Sequence, residues 1–260
     1  MKHTLRALRW ATIILWILLV FLVVTLVYSA FNIGINIGEP QLLVEDDRII
    51  WALPARINNS GLYGIYDLNI TTVIEDVDGA ILLRSSSFVP LIPKEETRQI
   101  WHNISISLEE IPNYQAYLTN DTNFIIKPSI RLNFAKVVPF LFTFNSTIPW
   151  GAPLYNPYIG EPYSQFNATH YIVSFNISFE NHSPYIDLNG TIEIEILNDN
   201  GEVIGATEEF FYVPSGSPWK ETIEIPVANT VEVPDYVTIK ATFKTSMFSY
   251  EMEARRRLSS

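Results

Sequence analysis

The 260-residue chain contains no cysteine, which excludes disulfide scaffolds, zinc–thiolate sites, iron–sulfur clusters and cysteine nucleophiles. Only four histidines are present, so little material remains for general-base catalysis or histidine-ligated metals. Basic residues are also scarce, since 17 Lys and Arg stand against 28 Asp and Glu. The net charge of −11 argues against nucleic-acid binding, which needs a basic face. We therefore predict a non-enzymatic protein with no nucleic-acid partner, no catalytic residues, no cofactor and no metal site.

The residues that could carry chemistry have plainer interpretations. The acidic clusters at 45–47, 75–78 and 198–200 offer oxygen ligands for calcium, but they lack the spacing of an EF-hand loop and are typical of solvated turns. His102 lies beside Trp101 and a glycosylation motif, which predicts a surface or edge histidine. His170 and His182 flank one alternating strand and are too far apart to share a metal ion.

One long apolar segment is present, at residues 10–31, with 19 apolar side chains in 22 positions and no charge. A helix of this length reaches about 33 Å, enough to cross a bilayer core of about 30 Å. Lys2, Arg6 and Arg9 precede it, and the positive-inside rule places them in the cytoplasm. We predict a basic cytoplasmic tail at 1–9, a transmembrane signal anchor at 10–31 that contacts the lipid bilayer, and a juxtamembrane linker at 32–39. The bulk of the chain is then extracellular.

Two other interpretations of this segment stay open. A cleaved signal peptide has a shorter apolar region, of about 7–15 residues, although Val27 and Ser29 are small enough to precede a cleavage site. An archaeal pilin-like subunit also begins with an apolar helix, but it is cut after a Gly or Ala, and Arg9-Trp10 stands at that point.

Nine Asn-x-Ser/Thr motifs follow the apolar segment, whereas random placement of the chain's residues would give about three. Several of these asparagines lie on the polar phase of alternating strands, and others lie in turns, where a glycan has room. A glycosylated exterior without any disulfide is unusual for an animal secreted protein and favours an archaeal cell envelope. We predict N-linked glycans at Asn58, Asn69, Asn103, Asn120, Asn145, Asn167, Asn176, Asn181 and Asn189.

Beyond the apolar segment the pattern is that of β-strands. Residues 192–196 and 237–244 alternate apolar and polar, which indicates sheets with one buried face. Residues 149–162 contain four prolines and two glycines and cannot form a central strand. The fold class predicted is all-β, with two tandem immunoglobulin-like antiparallel sandwiches after one transmembrane helix. The predicted bounds are 40–148 and 167–254 for the sandwiches, 149–166 for a proline–aromatic linker, and 255–260 for a basic, solvated tail.

The two halves resemble each other around their first hairpins. Residues 70–79 and 192–201 align and end in Asp-Gly and Asn-Gly turns, and Pro93 and Pro214 follow at similar distances, which favours a duplication. A long hairpin, a polar turn and another alternating strand, over residues 48–108 and 171–228, resemble the water-stress and hypersensitive-response (WHy) sandwich of the late-embryogenesis-abundant type 2 superfamily. The family's Asn-Pro is replaced here by Asn58-Asn59. The resemblance implies a non-enzymatic β-sandwich behind a membrane anchor, and it carries over no catalytic residue.

These features predict a structural, adhesive or accessory protein of the cell surface. One alternative is a filament or lattice subunit that associates with other envelope proteins or with itself, through strand exchange by residues 41–45. Another is a subunit that binds glycans or peptides, because the aromatic side chains near the linker can stack on a ligand. The candidate binding residues are Trp150, Tyr155, Tyr158, Tyr163 and Phe166, whose alternative role is to pack the joint between the two domains.

Overall fold

The computed structural model describes residues 2–38, 41–45, 48–111, 114–167, 170–228 and 234–259. One long helix, α1 (Lys2–Phe31), precedes two antiparallel β-sandwiches. This arrangement confirms the predicted fold class. From Leu8 to Val24 the apolar side chains of α1 face outward all round, and side chains become partly buried only in the last two turns.

The first sandwich begins two residues after α1. Its first sheet has a central strand that pairs with two short strands along one edge and one long strand along the other. Its second sheet follows the order β5-β4-β7-β8, with β9 also paired to β7. The first sheet comprises β1 (Ile33–Ile37), β2 (Gln41–Glu45), β3 (Arg48–Asn59) and β6 (Glu96–Ser107), and the second comprises β4 (Ile65–Glu75), β5 (Ile81–Ile92), β7 (Thr122–Phe134), β8 (Val138–Thr143) and β9 (Ser146–Trp150).

The second sandwich repeats this plan. Two short strands again share one edge of a central strand, and the second sheet has the order β14-β13-β16-β17. Between β6 and β7 the first sandwich adds a 3-10 turn (Leu108–Glu110) and α2 (Tyr114–Thr119). The strands are β10 (Tyr155–Ile159), β11 (Tyr163–Asn167), β12 (His170–Glu180) and β15 (Pro218–Ala228) in one sheet, and β13 (Leu188–Leu197), β14 (Val203–Val213), β16 (Tyr236–Thr245) and β17 (Ser249–Arg257) in the other.

Over β1 to β6 the repeat has a period of about 122 residues, which shortens for the last two strands because the first sandwich adds the 3-10 turn and α2. Strands β1, β2 and β3 lie this distance before β10, β11 and β12, and β6 lies the same distance before β15. The glycines at the hairpin turns, Gly79 and Gly201, both have positive φ and are also 122 residues apart. The sequence carries a matching signal that apolar–polar alternation does not show, because Ile-Gly-Glu-Pro occurs at both 37–40 and 159–162.

Three predicted segment boundaries were wrong. Residues 33–37 form β1 and are not a juxtamembrane linker. The predicted linker at 149–166 contains the end of β9 and both short edge strands of the second sandwich, so residues 151–154 alone connect the two units. The basic tail begins inside β17, where Arg255 forms an ion pair with Asp199 and Arg256 donates to the carbonyl of Ile159.

The predicted donor strand at 41–45 is not free either. It pairs with residues 48–52 of β3 in its own sheet, although it remains at that sheet's edge. Edge strands also accommodate the prolines of the predicted linker, because such strands tolerate a missing backbone donor. Pro157 lies in β10, where the register to β12 is irregular.

The core of the second sandwich extends into the first. Alternate residues of β13 and β16 are buried, as their sequence pattern predicts. Across the joint, the same cluster includes Trp51, Leu118 and Trp150 of the first unit, and the ring of Trp51 meets Tyr185 edge-on at 6.2 Å. The two sandwiches are therefore joined by a shared hydrophobic core and not by a flexible spacer.

Candidate functional sites

The last turns of α1 are bonded to the first sandwich. The Ser29 side chain is fully buried, and its Oγ accepts a hydrogen bond from the backbone N–H of Leu62 at 2.8 Å. One turn lower, the hydroxyl groups of Thr25 and Tyr63 are 2.8 Å apart. Gly61 allows this close approach, because a Cβ atom at that position would lie only 3.0 Å from the Ser29 Cβ and carbonyl oxygen. The helix consequently enters the sandwich at a fixed angle.

Six of the nine sequon asparagines are exposed in the folded chain. Asn69 is half-buried and lies near Thr71, whose hydroxyl donates to its side chain. The side chain of Asn167 lies outside the described residues. The exposed asparagines are Asn58, Asn103, Asn120, Asn145, Asn176 and Asn189.

The prediction of a glycan at Asn181 was wrong for the folded chain. This side chain has no exposed surface, and its Nδ2 group lies 2.8, 3.2 and 3.3 Å from the carbonyls of Ile186, Val213 and Pro214. Its Oδ1 accepts the N–H of Ser183. No room remains for a sugar, and both ends of the amide are already used.

The same arrangement occurs 122 residues earlier at Asn59. Its Nδ2 group contacts the carbonyls of Tyr63, Ile92 and Pro93, and its Oδ1 accepts the N–H of Gly61. Asn59 thus joins the end of β3 to the segment before β4 and to the end of β5. Asn181 does the same for β12, β13 and β14. We call this pair the asparagine clamps. Asn181 is a clamp whose sequence happens to match a sequon.

The five candidate aromatic residues do not share one surface. Trp150 is buried in the joint and donates its indole N–H to the carbonyl of Tyr117. Tyr155 stacks on His182 with 4.0 Å between ring centroids. Phe166 is exposed and packs on Tyr171, which lies opposite it on β12. Trp150 and Tyr155 therefore belong to the joint, Phe166 packs against its own sheet, and only Tyr158 and Tyr163 remain as a candidate binding surface.

Tyr158 and Tyr163 flank the exposed sequon Asn176 on one face of the sheet. They lie opposite Ser178 and Ser174, the two residues that share the strand phase of Asn176. Gly160 is the direct neighbour of Asn176, and its N–H donates to the Asn176 carbonyl. Gly160 adds no side chain between these two positions, so a sugar on Asn176 would start between two tyrosines, whose rings can stack on sugars.

A charged cluster closes the joint between the sandwiches. The His182 ring lies 2.8 Å from Asp121 of the first unit and 2.9 Å from Glu180 of the second. The hydrogen bond to Asp121, followed by that to Glu180, raises the pKa of His182. Burial alone would raise the pKa of Asp121, but its hydrogen bonds with the Ala152 N–H and His182 outweigh this and lower it. A cleft of about 460 Å³ opens beside the cluster.

His102 is buried, so the prediction of a surface or edge histidine was wrong. Its ring lies between the two sheets of the first sandwich, 2.9 Å from the hydroxyl of Ser87 and 3.0 Å from that of Thr72. Burial lowers the pKa of His102, because the charged ring would lose its hydration. Sequence alternation does place His102 on the inner phase, but its hydroxyl partners are distant in sequence.

The acidic clusters around 76 and 198 are closed turns. Asp76 Oδ1 accepts the N–H groups of Asp78 and Ala80, and Asn198 Oδ1 accepts those of Asn200 and Glu202. Over the described ranges, no group of three or more His, Asp or Glu residues has the geometry of a metal site.

Comparison with known proteins gives similarities to solved structures only. No family model matches the chain, and no curated protein matches it. Similar structures include a biofilm-associated protein BSP domain (10% identity, TM-score 0.37, 90% of this chain and 54% of that one) and red sea bream transglutaminase (12%, 0.32, 88% and 31%). A third is the ApaA protein of Bordetella pertussis (13%, 0.31, 47% and 94%). This chain spans less than a third of the transglutaminase, and TM-scores of this size carry no argument about function. The WHy resemblance stays a prediction.

Proposed function

We propose that this protein is a single-pass, N-glycosylated surface protein of a cell envelope, of the archaeal kind, with a structural, adhesive or accessory role. The observation that carries the proposal is the rigid coupling of three parts. The helix end is bonded to the first sandwich through Ser29, and the two sandwiches share one core. A chain built in this way acts as a stiff stalk that holds its outer domain at a fixed orientation to the bilayer.

The helix itself supports a bilayer anchor. Its segment Arg6–Phe31 is long and apolar enough to cross a membrane, and its most apolar stretch is not buried by the rest of the chain. Exposed apolar side chains on a whole helix are unfavourable in water and favourable in hydrocarbon. Residues 1–9 carry three positive charges and the residues after them a net charge of −14, which favours a cytoplasmic N-terminus.

The exposed sequons support the outer location of the sandwiches. Six asparagines are exposed, four on the first sandwich and two on the second, and the strand register places Asn176 between the positions of Tyr158 and Tyr163. The buried clamp Asn181 supplies an internal control, because it has the same motif but no access. Glycans at the exposed sites and none at Asn181 would be the pattern of a folded, translocated protein.

The orientation can be tested by thiol labelling in intact cells, because the natural chain has no cysteine. Val203→Cys places a thiol on the second sandwich at a position that is 53% exposed. We expect a membrane-impermeant maleimide to label it without permeabilisation. His3→Cys, which leaves the basic charges in place, should react only after permeabilisation. The reverse pattern would overturn the proposed topology, and identification of proteins that co-purify in gentle detergent would define the role.

A lattice or filament subunit is the second candidate, and one observation favours it. Phe88 and Phe210 are 62% and 69% exposed, lie on the edge strands β5 and β14, and are separated by the 122-residue repeat. Two equivalent, exposed apolar side chains on edge strands suit packing between copies of the chain. Electron microscopy of envelopes should then show ordered arrays that are lost in a Phe88→Asp, Phe210→Asp variant, whereas monomeric particles in both would reject it.

A glycan- or peptide-binding subunit is the third candidate, now confined to the exposed tyrosines. Tyr158 and Tyr163 are 49% and 40% exposed on one face. If this face captures a ligand, a Tyr158→Ala, Tyr163→Ala variant should lose the capture, while Phe166→Ala, on the opposite phase of the same strand, retains it. Equal capture by all three proteins would reject this function.

A further inference from the structure

An apolar hairpin lies beside the helix at the lower end of the first sandwich. It comprises the end of β7, a turn and most of β8, from Phe134 to Phe142. Val137 at its tip is 71% exposed, and Leu141 is 57% exposed. Such side chains on an edge strand are unfavourable in water and mark a contact surface.

The helix places this hairpin below the expected membrane surface. A groove of about 430 Å³ separates α1 from the hairpin, and it is lined by helix residues from Val23 to Phe31 and by Phe134, Val138 and Phe140. Val23 lies eight residues before Phe31, which is about 12 Å along the helix axis. If the apolar span up to Phe31 is in lipid, side chains level with Val23 are in lipid as well.

The internal repeat supplies a comparison. Strand β17 pairs with β16 as β8 pairs with β7, and its outward positions hold Ser249, Glu251, Glu253 and Arg255. The corresponding outward positions of β8 hold Pro139 and Leu141 near the hairpin tip and Thr143 at the strand's far end. The apolar version of this strand is thus found in the sandwich that adjoins the helix, and the polar version in the sandwich that does not.

Charge distribution fits a lipid contact on the helix side. Between Phe134 and Ile159 the only charged residue is Lys136, whose ammonium group lies 4.9 Å from the centre of the Tyr66 ring. A lysine at this depth can extend to the headgroups while its stem stays in apolar surroundings. The charged turn at 94–96 is exposed at the same end of the sandwich and must stay in water, so it limits the immersion to the hairpin.

We propose that this hairpin is immersed in the outer leaflet beside α1, so that the first sandwich is seated in the bilayer surface and not held above it. The inference rests on the proposed membrane anchoring. The occupant of the groove and of the exposed hairpin face is the acyl-chain region of the lipid. Asn145 is seven residues beyond Val138, about 23 Å along an extended chain, so a glycan there would remain clear of the membrane.

Single-cysteine variants of the full chain test the inference. Val137→Cys and Leu141→Cys carry a polarity-sensitive fluorophore in vesicles of phosphatidylcholine and phosphatidylglycerol, some with nitroxides on the acyl chains. Val77→Cys is the matched control, since it is also an exposed hairpin valine but lies at the other end of the same sandwich. Leu18→Cys, in the middle of α1, reports whether the anchor itself is in lipid.

We expect the probes at 137 and 141 to emit at shorter wavelength than the probe at 77, and to be quenched by lipid nitroxides, as the probe at 18 is. Aqueous iodide should quench only the probe at 77. Quenching at 18 but not at 137 and 141 would overturn the hairpin inference and leave the anchor intact. Probes shielded from both quenchers would indicate a protein partner or a second copy, which also overturns it. No lipid quenching at 18 would reject the anchor and the inference together.

Discussion

Removal of the Asn181 side chain is expected to destabilise the second sandwich strongly, although the residue lies in a sequon. Its two amide hydrogens satisfy carbonyls among Ile186, Val213 and Pro214, and its oxygen accepts one further bond. A buried partner left without its bond costs about 1–3 kcal/mol, and a typical bond contributes about 1 kcal/mol. With some relaxation of the site, Asn181→Ala should lower the free energy of unfolding by about 3 kcal/mol, a large share of a total near 5–15 kcal/mol.

The assay is urea unfolding of protein made without glycosylation, followed by tryptophan fluorescence. With a slope of about 2 kcal/mol per molar urea, the midpoint should fall by about 1.5 M. Asn59→Ala removes the equivalent clamp and should cause a similar loss in the first sandwich. Asn176→Ala removes an exposed sequon asparagine and should change stability by less than about 0.5 kcal/mol. A shift for Asn181→Ala no larger than that for Asn176→Ala would refute the clamp.

Three further predictions concern the joint and the buried histidine. Because folding raises the pKa of His182, its ion pairs contribute fully to the free energy of unfolding below about pH 6.5. That contribution is lost as the pH rises through the pKa of His182 in the folded state. His182→Gln should abolish this pH dependence of the free energy of unfolding, and Asp121→Asn should reduce it. The whole effect is below about 1 kcal/mol, because both side chains are partly exposed. Gly151→Ala should open or destabilise the joint, because the added Cβ would overlap the carbonyl of His182; thermal unfolding would show this, and an unchanged midpoint would argue against it. For His102 the lowered pKa has the opposite sign, so its contribution is lost below about pH 6.5, and His102→Gln should flatten the acid side of the stability curve.

The sequence predicts features that depend on local periodicity. The alternation of β13 and β16 gives their buried faces, and the turn residues at 76–79 and 198–201 give the two hairpins. The proline content of 149–162 correctly excludes a central strand there. It does not reveal β10 and β11, because their places at a sheet edge are set by pairing with β12, which follows later in the chain.

What the sequence did not predict depends on contacts between distant residues. Asn181 and Asn176 carry the same motif, but the first contacts the carbonyls of Val213 and Pro214, more than 30 residues away, and the second is exposed to solvent. His102 is buried through hydroxyl groups from β4 and β5. One missed signal was available, since the repeated Ile-Gly-Glu-Pro gives the 122-residue period and identifies residues 155–167 as part of the second sandwich.

The most direct test of the membrane-anchored, translocated stalk is glycopeptide mapping of the protein purified from its native membrane. The account predicts sugar on peptides that carry exposed sequons, with Asn176 among them, and no sugar on the peptide that carries Asn181. Native material with no glycan at any sequon, or with a glycan on Asn181 in the folded protein, would contradict it.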